Sequence, residues 1–277
     1  MKKKNFLLRY PVFCVFAFLA VIIILGAVFA PVICGDTDPL KGSLADSIQP
    51  PSAEHIFGTD KMGRDIFTRV MYGAQTSLAS TFALVGAVFV IGTFLGIVSG
   101  YFGGISDAVI MRIADMMMSF PGLVLAIAVA GILGASMENA MIAVATVTWP
   151  KYARLARSLV LKIRHADFVE AARITGSRTP YILARYMLPN VLPTMVITAA
   201  TDIGGMMMEL AALSFLGFGA VPPSPEWGRM LSEGRDFMQS APWLMIFPGL
   251  AIFVTVVVFN MLGDSLRDIL DPRDKRR

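Results

Sequence analysis

Along the chain, apolar positions gather into long uncharged runs instead of alternating with polar ones. Residues 11–35 carry no charge, and neither do residues 70–106, whose apolar heart is 76–100. Residues 116–137 form a third uncharged run, 191–218 a run broken only by Asp202 and Glu209, and 241–263 a clean last one. Residues 139–150 are uncharged but short. A helix needs about 20 mostly apolar residues to cross a bilayer. Five runs meet that length, and 139–150 predicts one more crossing if it borrows residues from a flank. The expected architecture is an all-α integral membrane protein with six transmembrane helices, both ends on one side. Lys2, Lys3 and Lys4 before the first run also suit a signal peptide. That run is longer than a usual signal core, and no small-residue cleavage site follows it, so it predicts an uncleaved anchor.

Composition agrees with the pattern. The hydrophobic set makes up 56% of the 277 residues and charged residues 16%, against about 45–50% and 25% in soluble domains. That excludes a soluble enzyme and a disordered or fibrous chain. The net charge of +4 gains meaning only when placed. With the N-terminus inside, 18 of the 24 basic residues fall on inside segments, eight of them between residues 151 and 190. Lys41, Lys61, Arg64, Arg69, Arg229 and Arg235 fall outside. The bias predicts N-in and C-in. Basic residues split among short segments argue against nucleic-acid binding. Cys14 and Cys34 have neither disulfide-framework nor zinc spacing, and no cofactor is implied.

Two polar segments stand out. The outside segment 36–69 is rich in Pro, Gly, Ser and Asp, then becomes charged and amphipathic. The inside segment 151–190 holds too many basic residues to enter the membrane. Within it, Asp167 and Glu170 have capping-box spacing, Gly176 is a natural helix stop, and Pro180 prevents smooth continuation. A helix of two or three turns is expected there, partly apolar through Phe168, Ala171, Ala172 and Ile174. A protein-docking helix and an ordinary interfacial helix both fit those features.

Inside the apolar runs, Asp202 and Glu209 lie two helical turns apart and share a face, with Met206 between them. Acidic groups at that depth face a cavity or a partner. They predict either a cation-attracting pathway with a soft thioether contact or a polar helix contact. Met116, Met117 and Met118 read as packing residues. Gly92, Gly96 and Gly100 predict a small-residue face for close helix packing. Trp149 and Trp243 suit interfacial anchoring, and Arg112 could pair with Asp115. The chain has no Gly-Lys pair, hence no P-loop, and no nucleophile–base set in its apolar runs. Active transport would need another polypeptide or an ion gradient for its energy.

Glu170-Ala171-Ala172, then Gly176, then Leu188-Pro189 resembles the EAA loop of ATP-binding-cassette (ABC) importer permeases, with Tyr186 where that pattern carries Ile. His55-Ile56-Phe57-Gly58-Thr59-Asp60 with Gly63-Arg64-Asp65 resembles the first-loop signature of the dipeptide/oligopeptide/nickel branch. So do Leu213-Ser214-Phe215-Leu216-Gly217-Phe218-Gly219, Pro225-Glu226-Trp227-Gly228 and the closing stretch 260–272. The resemblance implies a MetI-like transmembrane domain with residues 1–69 as an anchor helix plus extracytoplasmic loop. Residues 70–277 would be the permease core, with the coupling loop at 151–190. It further implies a heterodimer with a homologous permease, two cytoplasmic ABC ATPase subunits, an extracytoplasmic solute-binding protein, and surrounding membrane lipid. ATP hydrolysis would reside on the ATPases. Glu170, Ala171, Ala172, Gly176, Leu188 and Pro189 would couple to them. The stretches 202–207 and 111–116 look closer to nickel permeases. Nickel or a nickel chelate is therefore the first expectation and di- or oligopeptides the second, although a direct nickel site would favour histidine, which the spans lack. A gradient-driven carrier or channel is a remoter alternative, disfavoured by the want of an inverted repeat. An intramembrane enzyme is disfavoured by the want of a catalytic set.

Overall fold

The computed structural model describes residues 10–270. Lys2, Lys3, Lys4, Arg9 and the tail residues Asp271, Pro272, Arg273, Lys275, Arg276 and Arg277 lie outside the described residues. Among the described residues nine helices carry the architecture: α1 (Pro11–Val28), α2 (Ile66–Phe102), α3 (Gly104–Met118), α4 (Gly122–Leu133), α5 (Met137–Ile163), α6 (Asp167–Ile174), α7 (Thr179–Phe215), α8 (Trp227–Gly234) and α9 (Trp243–Leu270). Four of them, α1, α2, α7 and α9, are long and apolar enough to cross a bilayer.

The run 116–137 does not form one straight crossing. It breaks at Ser119-Phe120-Pro121, where α3 and α4 meet at 95°. Pro121 lacks an N–H and biases Phe120 away from helix, which ends α3. The short run 139–150 borrows from its C-terminal side. α5 continues through Pro150 to Ile163 and so carries Lys151, Arg154 and Arg157 along with it. The basic segment after Lys151 thus begins as a continuation of helix α5. Ser136 caps α5 by accepting the Asn139 N–H at 3.0 Å. In α7, residues 183–187 form a π turn just before Pro189. Pro189 has no N–H to give the Arg185 carbonyl, and its ring crowds that turn, so the helix widens there.

Packing follows the small-residue face. A Cβ on Gly92 would meet Tyr152, one on Gly96 would meet the Ala153 carbonyl, and one on Gly100 would lie 2.9 Å from Val160 Cβ. All three neighbours belong to α5, so α2 and α5 pack backbone to backbone. Ala140, Ala143, Ala153 and Ala156 of α5 are fully buried. A second core, around Trp227, Met207 and Phe259, joins α1, α2, α7, α8 and α9.

Gly96→Val should therefore lower the melting temperature of the purified protein in detergent, because overpacking costs about 1–3 kcal/mol. Gly86→Ala, whose new methyl would meet nothing within 4 Å, should leave it unchanged. Equal melting temperatures would contradict this packing.

Candidate coupling and translocation site

Helix α6 begins at Asp167 with Ala166 as its N-cap and no side-chain cap. The expected capping box is absent because Asp167 already sits inside the first turn. The Glu170 carboxylate instead lies 3.4 Å from His165 Nδ1. The C-terminus matches expectation. The Ser177 N–H donates to the Ala172 carbonyl and the Gly176 N–H to the Arg173 carbonyl, both at 3.0 Å. This is a Schellman stop, and Gly176 adopts φ +81° to close it. Val169 and Ala172 are buried in the bundle core. The Arg173 guanidinium lies 5.1 Å from the Tyr101 ring centroid. Glu170 and Ala171 point outward with Phe168, and Ile174 is 85% exposed. Tyr186 lies between Phe168, tilted against it at 6.0 Å, and Tyr181, edge-on at 6.1 Å, tying α6 to the start of α7. Leu188 and Pro189 lie exposed just beyond the π turn. The motif residues thus form one rigid unit with an outward apolar and acidic surface.

A ladder of ion pairs climbs α5 from that end. Lys151, Arg154 and Arg157 are three residues apart and rise along one face. Lys151 Nζ donates to both Asp202 carboxylate oxygens at 2.7 Å. Arg154 pairs with Asp115 of α3, so Asp115 does not pair with Arg112 as the spacing suggested. Arg157 makes a two-pronged contact with Asp107 of α3, Nε at 2.5 Å and Nη2 at 2.6 Å. Ser99 donates to the same carboxylate, and Arg164 reaches the Gly100 carbonyl. Each rung solves the problem of carrying a cation along an apolar bundle. The rungs are open to solvent on one side, with Lys151 55% and Asp202 18% exposed. Glu209 Oε2 is shielded and accepts no hydrogen bond within the described structure. Met206, expected between the two acids, is buried in the helical core instead, packed with Leu210 and Leu213. The open face holds Asp202 and Glu209 but not the thioether.

At the far end, the loop after α1 folds onto α2 and α8. Thr59 and Asp65 form an antiparallel bridge. Arg64 Nε donates to Asp60 at 2.7 Å, and Arg64 and Arg69 both donate to Glu233 Oε2, at 3.3 and 3.2 Å. Arg69 is 1% exposed and also donates to the Pro39 and Pro223 carbonyls. Asp65 caps α2 through the Thr68 N–H and contacts His55 at 3.0 Å. Glu226 caps α8, accepting from the Gly228 and Arg229 N–H groups at 2.8 Å and from Ser77. Burial pushes its carboxyl above the ordinary range, and the N–H donors oppose the shift. Trp227 Nε1 donates to the Val70 carbonyl at 2.9 Å. Trp243 donates to the Thr59 carbonyl, an anchor within the protein.

Sequence reasoning missed Asp107, Arg157, Glu226 and Glu233 as network members. Their signal was present: Asp107 is a lone acid directly after an uncharged run, and Glu226 immediately precedes a buried Trp.

A helical bundle with four helices long and apolar enough to cross a membrane, a short exposed helix at one end and an ion-paired open face within fits a membrane transport component. Comparison with known proteins makes the class specific. Residues 92–276 match the family described as binding-protein-dependent transport system inner membrane component. The chain is 47% identical over 256 residues to the dipeptide transport system permease protein DppC of Alkalihalophilus pseudofirmus, covering 91% of this chain and 83% of that one. It is 43% identical to the probable D,D-dipeptide transport system permease protein DdpC of Escherichia coli, over 93% and 86%. It is 47% identical to the glutathione transport system permease protein GsiD of Pectobacterium atrosepticum, over 81% and 75%. The fold is similar to a chain of the MetNI methionine ABC transporter in an inward-facing form, with TM-score 0.58 and 20% identity, covering 74% of this chain and 98% of that one. The chain belongs to the family of inner-membrane permeases of binding-protein-dependent ABC importers, with a MetI-like fold.

Arg69→Met would strip a buried counterion from Asp60 and Glu233. It should lower stability by about 3 kcal/mol, read as a drop in the thermal midpoint. Lys41→Met, at an exposed pair with Asp38, should leave the midpoint unmoved. Equal effects would refute the structural role of the cap network.

Proposed function

We propose that this permease carries di- or oligopeptides, including small ones such as glutathione, into the cell. The observation that carries the proposal is the set of relatives named for dipeptide and glutathione transport at 43–48% identity over most of the chain. They favour the peptide reading over nickel.

In this reading α5 supplies the sixth crossing and the α3–α4 pair forms one bent crossing, so the chain runs N-in and C-in. Residues 1–69 serve as anchor helix and extracytoplasmic loop, and 70–277 as the permease core. A homologous permease completes a heterodimer, and a solute-binding protein delivers cargo at the α8 end. Of two ABC ATPases, one receives α6 through Glu170, Ala171 and Ile174, while Ala172 and Gly176 hold the helix rigid against the core. Leu188 and Pro189 fix the turn behind it. A rigid helix can transmit the several kcal/mol, roughly 5.5 for a near-complete switch, that alternating access requires. Asp202 and Glu209 line the pathway.

In a strain lacking its own peptide importers, the complete transporter should accumulate labelled dialanine and not labelled nickel; the reverse would overturn the peptide assignment. Glu170→Lys should insert and assemble normally yet lose at least about tenfold in uptake and in cargo-stimulated ATP hydrolysis, because it reverses a charge on the docking surface. Unchanged uptake would overturn the coupling role of α6.

A further inference from the structure

We propose that the top rung of the α5 ladder is a transit site for the charged termini of the cargo, with Lys151 taking the carboxylate and Asp202 the ammonium. This rests on the peptide reading above. In the structure the two side chains hold each other, and their surroundings suit an exchange of partners. Lys151 is 55% exposed on a flexible stem and contributes a single ammonium to both oxygens of Asp202. The fully buried Tyr152 has its hydroxyl within hydrogen-bonding reach of Asp202. Glu209, on the same face of α7, has one shielded oxygen without a partner within the described structure.

A buried carboxylate oxygen without a partner is costly, and that of Glu209 lies on the face of this ion pair. When Lys151 swings away, the Tyr152 hydroxyl stays beside Asp202 to hold it, and the acidic face of Asp202 and Glu209 is free for an ammonium. The released Lys151 is then free for a carboxylate. A zwitterionic peptide brings one of each, so charge is conserved and no ion is left unpaired at membrane depth. By helix rise, Lys151 lies about 21 Å along α5 from Met137, and Asp202 lies about 20 Å along α7 from Phe215. The site therefore sits well inside the bundle. The Arg157–Asp107 rung, two-pronged and braced by Ser99, has no such unpartnered groups around it and serves as the fixed brace.

The test uses the complete transporter in vesicles, with binding protein and ATP, and labelled dialanine. Lys151→Met and Asp202→Asn should each lower uptake by about tenfold or more, since each removes a charge-assisted hydrogen bond. Tyr152→Phe, the mildest change, should lower uptake severalfold with assembly unchanged; if Asp202→Asn does not assemble, Tyr152→Phe carries the test. Saturation-transfer NMR on the transporter without binding protein should detect dialanine but not dialanine blocked at both ends. That signal should fall at least threefold in Lys151→Met. Equal signals from free and blocked dialanine would overturn the proposal and leave a structural ion pair. If wild-type transporter takes up no dipeptide at all, the peptide reading and this inference fall together. If wild type transports and all variants match it, only this inference falls.

Discussion

A charge taken out of water must meet its counterion, and this requirement organises the molecule from end to end. Helix α5 runs beside α2, α3 and α7 with Asp202, Asp115 and Asp107 meeting three of its four cations in turn, while Lys162 in its last turn is exposed. At the opposite end Arg69 is almost wholly buried and depends on Asp60, Glu233 and two carbonyls. The outer network, shut off from water, would not tolerate its charges singly, while the rungs on α5 stay partly open to solvent on one side. The glycine face of α2 makes the arrangement possible, since it draws α5 close enough for Arg157 to reach Asp107 next to Ser99.

The same ladder links the two functional ends of the proposed mechanism. Helix α6 is joined to α5 by three residues, 164–166, and its buried side, Val169 and Ala172, belongs to the core that also contains Val160 of α5 and Met187 of α7. A displacement of α6 therefore loads α5 and the π turn together. From there the rungs are the contacts that join α5 to α3 and to the pathway face of α7. The outer network is separate from this chain of contacts and ties the loop of residues 36–65 to α2 and α8.

Much of this was legible in the sequence. Length and apolarity gave α1, α2, α7 and α9, and the glycine spacing gave the α2 packing face, because both signals are local. Helix α6 and its stop were legible through the EAA pattern and Gly176. What escaped the sequence was non-local. The 95° break at Pro121 divides a run that hydropathy alone reads as continuous. The basic half of α5 looked too polar to enter the bundle because the cancelling acids lie 39 to 51 residues away in sequence. Asp115 had a near neighbour of opposite charge, Arg112, yet found its partner on another helix. The capping box failed by one residue of register, and Met206 failed because a shared helical face, read from spacing, is wider than the strip that stays open.

The account's central claim is that α5 is held in the bundle by paired charges, and the Arg157–Asp107 rung offers the most direct measurement. A double-mutant cycle with Arg157→Asp, Asp107→Arg and the exchanged pair, read by unfolding in detergent, isolates the interaction energy of the two residues. The expected result is two strongly destabilised single variants, an exchanged pair that recovers much of the loss, and a coupling of about 1–3 kcal/mol. Additive effects, with the exchanged pair as unstable as the sum of the singles, would contradict the claim.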